Sequence, residues 1–469
     1  MSRKALLLSS ALFLAGCQQD KSPPPALAPG DVPTAFEQAS STAAIWPTPD
    51  WWQGFGSTEL TSLETAAQAG NLDIAQAEAR IRQADARARQ AGAALLPTVT
   101  LNGNGQNFTG AGGGGSGNET DFFAGVGASY ELDFWGKNKS TAESALASRR
   151  ASATDRATVA LTVSAAIANG YFQILALRER LAVAQDNLKS AQAILTVVQR
   201  RVTAGYAPNS DLTQARADLA AQQVAVPALQ QQELEARTAL AILLGRPPEG
   251  FAVTASGLAG IAAPAVAPGL PTELLARRPD IATAEANLAA AHADISAARA
   301  AMLPDITLTA DAGLQNPALN AAVLTLGGTG FALTLGSTLV HTIFDGGLLK
   351  AKTAETEARE VELLAAYRAA AIAAFGDVEN ALGSLAHLSA QEAALKEQAM
   401  QSEAVLRAAQ RKYTAGGADF LIITDAQRSL YAARDQLSDI RRARLTASVT
   451  LFKALGGGWQ QSPSDGTGK

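Results

Sequence analysis

Residues 121–136 read DFFAGVGASYELDFWG. Phe122, Ala124, Val126, Ala128, Tyr130, Leu132 and Phe134 alternate with Asp121, Gly125, Gly127, Ser129, Glu131 and Asp133, and Phe123 is the exception. A period of two predicts a strand with one greasy face and one wet face. The chain then changes period. From Ile167 through Tyr171, Ile174, Leu177, Leu181, Ala184, Leu188, Ala191, Leu195, Val198 and Val202 the apolar steps are 3 or 4. That is a coiled-coil seam, within a helix expected over Lys137–Thr203. At ~1.5 Å per residue it would run about 100 Å. Strands of this length and pattern fit an outer-membrane barrel, although a soluble two-hairpin sandwich has the same alternation.

The same arrangement occurs twice. Asp73–Ala79 matches Asp280–Ala286, and Leu96–Leu101 matches Leu303–Leu308. Thr203-Ala204-Gly205 and Leu244-Gly245 match Thr414-Ala415-Gly416 and Leu455-Gly456. Each half reads helix, strand, strand, long helix, turn, helix. The first half places helices at Leu72–Leu96, Lys137–Thr203 and Leu212–Leu244; the second places them at Asp280–Leu303, Lys350–Thr414 and Ile423–Leu455. Pro97 stops the first helix, and Val99, Leu101, Gly103 and Gly105 then alternate with polar residues. Ile306, Leu308, Ala310, Ala312 and Leu314 do likewise, and Phe331, Leu333, Leu335, Leu339 and Ile343 form the last apolar face. In each half two short helices, end to end, would nearly match the long one. The expected divisions are 1–16 signal peptide, 17–70 lipidated tether and equatorial segment, 71–255 first repeat, 256–456 second repeat and 457–469 tail.

Four strands per chain have open edges, which lipid does not tolerate. Closure requires further copies: two give eight strands filled by their own side chains, three give twelve and begin to leave a lumen. Composition agrees with a conduit more than with an enzyme. Of 469 residues 47% are hydrophobic but only 5% aromatic and 17% charged, with a net charge of -5. The acidic balance argues against a nucleic-acid surface. Three His and one Cys exclude a Cys/His zinc cluster and a disulfide framework, and no nucleophile–base set assembles. Gly110–Gly115 formally fits a dinucleotide fingerprint, but it joins two strands with no helix behind it, so a loop is expected.

The single Cys has a different reading. Arg3 and Lys4 precede an apolar run, Ala5–Gly16, too short to span a bilayer, which predicts a secretory signal. Leu14-Ala15-Gly16-Cys17 resembles a bacterial lipobox. That resemblance implies N-acyl and S-diacylglycerol lipid on Cys17, and Gln18 after it implies sorting to the outer membrane. Lys21–Pro33 is Pro-rich and reads as an extended tether.

Five further stretches carry a family resemblance: Trp51-Trp52-Gln53-Gly54-Phe55; Tyr130–Gly136; Gly269–Ile281, with Leu270-Pro271 and Arg277-Arg278-Pro279-Asp280; Phe344-Asp345-Gly346-Gly347; and Gly417–Leu421 leading to Asp425-Ala426-Gln427-Arg428. They resemble the TolC-like outer-membrane efflux channels, in the lipoprotein branch that works with resistance-nodulation-division (RND) pumps. The likeness covers nearly the whole mature chain. It implies an internally duplicated α+β membrane protein, whose homotrimer forms a 12-stranded barrel continuous with a long periplasmic α-helical barrel. It also implies a passive exporter of drugs or other small molecules, with a periplasmic adaptor (membrane fusion protein) and an inner-membrane RND transporter as partners. The alternatives are a duct for a type I protein secretion system and a structural periplasmic coiled-coil lipoprotein without a pore.

The resemblance also implies site roles. Leu421 and Asp425 match positions that constrict the tunnel mouth in relatives, where a threefold ring of carboxylates would gate and select. Asp425 as a dipole-stabilising helix acid and Leu421 as a buried contact are the plain alternatives. Gly205, Tyr206, Gly416 and Gly417 mark hairpin tips, where adaptors dock in the family. Gly205 and Gly416 also read as helix C-caps, and Asp211 reads as an N-cap.

Overall fold

The computed structural model describes residues 27, 30–39, 44–110, 117–316, 330–417 and 419–461. After a 3-10 turn, Trp51–Phe55, come α1 (Thr58–Gly70), α2 (Leu72–Ala93), β1 (Thr98–Gly110), β2 (Gly117–Leu132), α3 (Lys137–Thr203) and α4 (Asn209–Leu243). The second half has α5 (Pro271–Leu275), α6 (Pro279–Ala300), β3 (Asp305–Asn316), β4 (Gly330–Val340), α7 (Leu348–Thr414) and α8 (Phe420–Ala454). The halves match in length: α2 and α6 have 22 residues each, α3 and α7 have 67, and α4 and α8 have 35.

The short helices do stack end to end along the long ones, and one kind of joint serves both halves. Asn71 caps α2 through its side-chain oxygen and donates its Nδ2 to the Leu243 carbonyl at the end of α4, 2.7 Å away. In the second half Arg278 takes that place. It donates to the Ala454 carbonyl at the end of α8 at 3.2 Å and pairs with Asp280 at 2.6 Å. The joints are tight. A Cβ on Gly245 would lie 2.1 Å from the Gly70 carbonyl oxygen, and one on Gly456 would lie 1.9 Å from that of Arg277. Both glycines also have positive φ, 68° and 85°.

Some expected element ends need correction. The Leu72–Leu96 helix ends at Ala93, and Ala94, Leu95 and Leu96 continue as tightened turns with bonds three residues back until Pro97 stops them. The last strand ends at Val340, which pairs with Asp305, the first residue of β3, so no neighbouring backbone remains for Ile343. Within the 17–70 segment α1 is a regular helix capped by Ser57 Oγ, which accepts from Leu60 N at 3.1 Å.

The main core lies where α1 and the 51–55 turn meet the middle of α3 and the end of α8. It contains Trp51, Trp52, Phe55, Leu60, Ile167, Tyr171, Phe172, Val449 and Phe452. Trp51 stacks on Phe452 with ring centroids 5.3 Å apart, and Phe55 meets Phe172 at 5.1 Å. In a second cluster Phe36, from the segment before α1, packs with Leu274, Ile281, Phe375 and Val378 of α5, α6 and α7. Among the described residues α3 alone is long and apolar enough to cross a membrane, and more than half of its apolar window is buried in this packing.

Candidate functional site

The functional surface has two ends. At one end is a four-stranded antiparallel sheet in the order β1-β2-β3-β4, so the β2–β3 pair joins the repeats and β1 and β4 are its edges. The register sorts residues by chemistry. One row crosses the sheet as Leu101, Val126, Ala312 and Leu333, and another as Val99, Ala128, Ala310 and Leu335. The alternate rows read Thr100, Gly127, Asp311 and Thr334, and Thr98, Ser129, Thr309 and Gly336. One face is aliphatic and outward, with Leu101 86% and Leu335 75% exposed. The other is polar and small, as a water-filled lumen needs. Phe123, the exception in the alternation, lies on the polar face between Asn104 and Gln315. Its ring lies close over Gly125 and Gly313, where a Cβ would come within 2.6 and 2.8 Å of it.

The helices start directly beneath the sheet. Lys137, first in α3, bridges Glu131 at 2.6 Å and Asp305 at 2.8 Å, tying β2, β3 and α3 together. Asp133 caps α3 by accepting from Asn138 N and Lys139 N at 2.9 and 2.7 Å. Asp345 caps α7 through Gly347 N and Leu349 N at 2.8 and 2.9 Å, and these bonds hold its carboxyl below the usual range. Phe134, Trp135, Ile343 and Phe344 are exposed around this junction, an apolar belt at the height where barrels carry aromatic girdles.

The other end is the tip formed by the α3–α4 and α7–α8 turns. Both turns close as expected. Gly205 has φ 75° with Tyr206 N bonded to Arg201 O at 2.8 Å, and Gly416 has φ 80° with Gly417 N bonded to Lys412 O at 3.0 Å. Val198, Ala215, Ala409, Tyr413, Phe420 and Ile423 pack together and bring the turns side by side. Leu421 and Asp425 lie one helical turn apart on the exposed side of α8, opposite that cluster, and Leu421 is 67% exposed. Leu421 is therefore not a buried contact within the protomer. Asp425 lies beyond the first turn of α8, whose N-cap is Asp419, so it is not a terminal helix acid. Asp211 lies in the first turn of α4, and the N-cap there is Pro208. Cys17 and residues 111–116 and 317–329, where loops were expected, lie outside the described residues.

The tip contains a brace that the sequence reading missed. Arg201 donates to the Tyr413 carbonyl, reaches the Tyr206 carbonyl at 3.5 Å, and holds its guanidinium 4.3 Å from the Tyr413 ring centre. Arg428 on α8 pairs with Asp218 on α4 at 2.7 Å, and Arg180 on α3 pairs with Asp435 on α8 at 2.7 Å. All three join the first repeat to the second.

A two-faced sheet with open edges, set on paired hairpins, is the form of one protomer of a barrel-and-tube channel. The sequence profile of the Outer membrane efflux protein family matches residues 63–246 and again 270–457. The chain belongs to this family. The efflux protein is 41% identical to the pyoverdine export outer membrane protein OpmQ of Pseudomonas putida, over 98% of both chains. It is 30% identical to the toluene efflux pump outer membrane protein TtgC of the same species, over 98% of this chain and 97% of that one. Among solved structures, the outer-membrane channel OprN superposes with a TM-score of 0.84 at 27% identity, covering 93% of this chain and 99% of that one. The efflux protein is thus an outer-membrane channel of an efflux system, built on a sheet continuous with long helices. The soluble sandwich and the pore-less coiled coil are set aside.

Proposed function

We propose that three copies of this efflux protein close edge to edge into a twelve-stranded barrel, β1 of one copy pairing with β4 of the next. Their helices continue the barrel as a tube through the periplasm. The observation that carries this reading is the register of the sheet: its central rows put Thr98, Thr100, Ser129, Thr309, Asp311 and Thr334 on one face and Val99, Leu101, Val126, Leu333 and Leu335 on the other, and both edges are open. Lipid on Cys17 anchors each chain. The tips at Gly205, Tyr206, Gly416 and Gly417 meet a periplasmic adaptor, and an RND transporter in the inner membrane supplies the energy. The channel itself is passive. Its cargo is a small molecule, and the 41% identity to a protein named for pyoverdine export supports pyoverdine or a compound like it.

In the trimer the exposed stripe carrying Leu421 and Asp425 turns to the threefold axis and narrows the tube. Three carboxylates there repel one another and attract cations. In planar bilayers, Leu421→Ser combined with Asp425→Ala is expected to raise single-channel conductance. Unchanged conductance removes these residues from the gate, and a wild-type protein that stays monomeric and passes no current overturns the channel reading. Cys17→Ala is expected to abolish labelling by radioactive palmitate and reduce the outer-membrane fraction.

A further inference from the structure

Glu64 is a misfit in the main core. It faces inward from α1 beside Leu60, Leu63 and Ala67, is 0% exposed, and neither carboxyl oxygen has a hydrogen-bond partner among the described residues. Ser164 on α3 lies beside it but outside good hydrogen-bond geometry. The second repeat shows what the site requires. By the spacing of the two halves, Glu64 corresponds to Pro271 and Ser164 to Phe375, and both of these are buried. An apolar pair in one half is replaced by a carboxyl and a hydroxyl in the other. The core does not need a polar group there for packing.

Among the described residues no ionised neighbour compensates it. On its own helix Glu59 is taken up by Thr254, Ala255 and Tyr171. On α3, Arg156 pairs with Glu78, Arg178 with Glu233, and Tyr171 bonds Ser57. On α8, Arg444 pairs with Glu392 and Lys453 is exposed. On α4, Arg237 lines a separate hollow with Glu249, and the 51–55 turn brings only Trp51, Trp52, Gln53, Gly54 and Phe55.

We propose that Glu64 is a proton-dependent clamp between α1 and α3, closed when the carboxyl is protonated and loosened when it ionises. Burial pushes its pKa up to about 8, from 4.5 for a free glutamate. A bare carboxylate in this apolar seam is costly, and lifting α1 returns it to water. Ser164 and Gln68 also line a hollow of about 490 Å³, which gives water a route to the seam. The folded carboxyl holds its proton more tightly than the lifted one. Clamping is therefore complete in acid and weakens as pH rises from the free value to the folded one. In that window the opening equilibrium changes about tenfold per pH unit. Above about pH 8 both states are ionised and the dependence ends. The equatorial layer is thus firmest when its surroundings are acidic.

Hydrogen exchange of the α1 amides tests this in the purified full-length channel, between pH 5 and 9, after correction for intrinsic exchange. The wild type is expected to open about tenfold more per pH unit up to about pH 8 and then level off. Glu64→Gln and Glu64→Leu are expected to give flat profiles with acid-like protection throughout. The leucine variant keeps the test decisive if the glutamine variant does not fold. A flat wild-type profile, or a slope that persists in a folded variant, overturns the proposal.

Discussion

Arg201 shows how much one side chain can hold at a surface. It contributes two carbonyl bonds and a ring contact, all to atoms of the two tip turns. A charge-assisted bond is worth about 1.5–3 kcal/mol, so Arg201→Ala should raise hydrogen exchange at 203–208 and 413–417 by about tenfold or more, and Arg201→Lys by less. Arg278 is the equivalent anchor at the far joint. Arg278→Met leaves Asp280 without its partner while a third of that carboxylate stays wet, and should cost about 2–3 kcal/mol by chemical denaturation. Burial raises the Asp280 pKa, but Arg278 more than reverses this, so the carboxyl is held below its usual range. Its contribution is complete above a free aspartate's pKa and is lost as pH falls through the lower folded value. The fall in melting temperature between pH 7 and pH 3 should therefore be smaller in Arg278→Met than in wild type. At this scale little was legible. Arg201 is one of several basic residues near a helix end, and only the proximity of a carbonyl 212 residues away distinguishes it.

The long elements were legible because their patterns were long. The period-two run in β2 and the 3-and-4 steps of α3 each repeat many times, and the structure starts and ends α3 at the expected residues, Lys137 and Thr203. Elements whose ends depend on a neighbour were not. β4 stops where β3 has no more backbone to offer, and nothing within residues 331–343 records that. α1 is legible as Ser57, Glu59, Leu60, Leu63 and Ala67, a cap followed by a helical stripe, but its 13 residues give that stripe few repeats. The turn glycines behave as elements in miniature. Gly205→Ala places a side chain at φ 75° and should cost about 1–2 kcal/mol in thermal unfolding. Gly245→Ala should be far worse, because its Cβ would overlap the Gly70 carbonyl, and should show as loss of folded trimer in the membrane fraction.

The whole molecule follows from what one chain leaves unfinished. The protomer has two open sheet edges and exposed Val224, Leu234 and Ile242 along α4, surfaces that suit neighbours more than water. Mass measurement of the detergent-solubilised protein should give three chains, and dilution should not yield folded monomer. The number of copies was the part least legible in the sequence: the chain specifies a four-stranded unit, while closure is set by tilt and stagger between copies. The unbroken length of α3 and α7 adds a mechanical consequence. Each is a single rod from beneath the sheet to the tip, with its partners joined through the Asn71 and Arg278 hinges alongside. A rod of about 100 Å turns a one-degree tilt at its membrane end into about 2 Å of travel at the other. The tip is therefore the long arm of a lever, and small changes of tilt at the sheet end are expected to move it by ångströms.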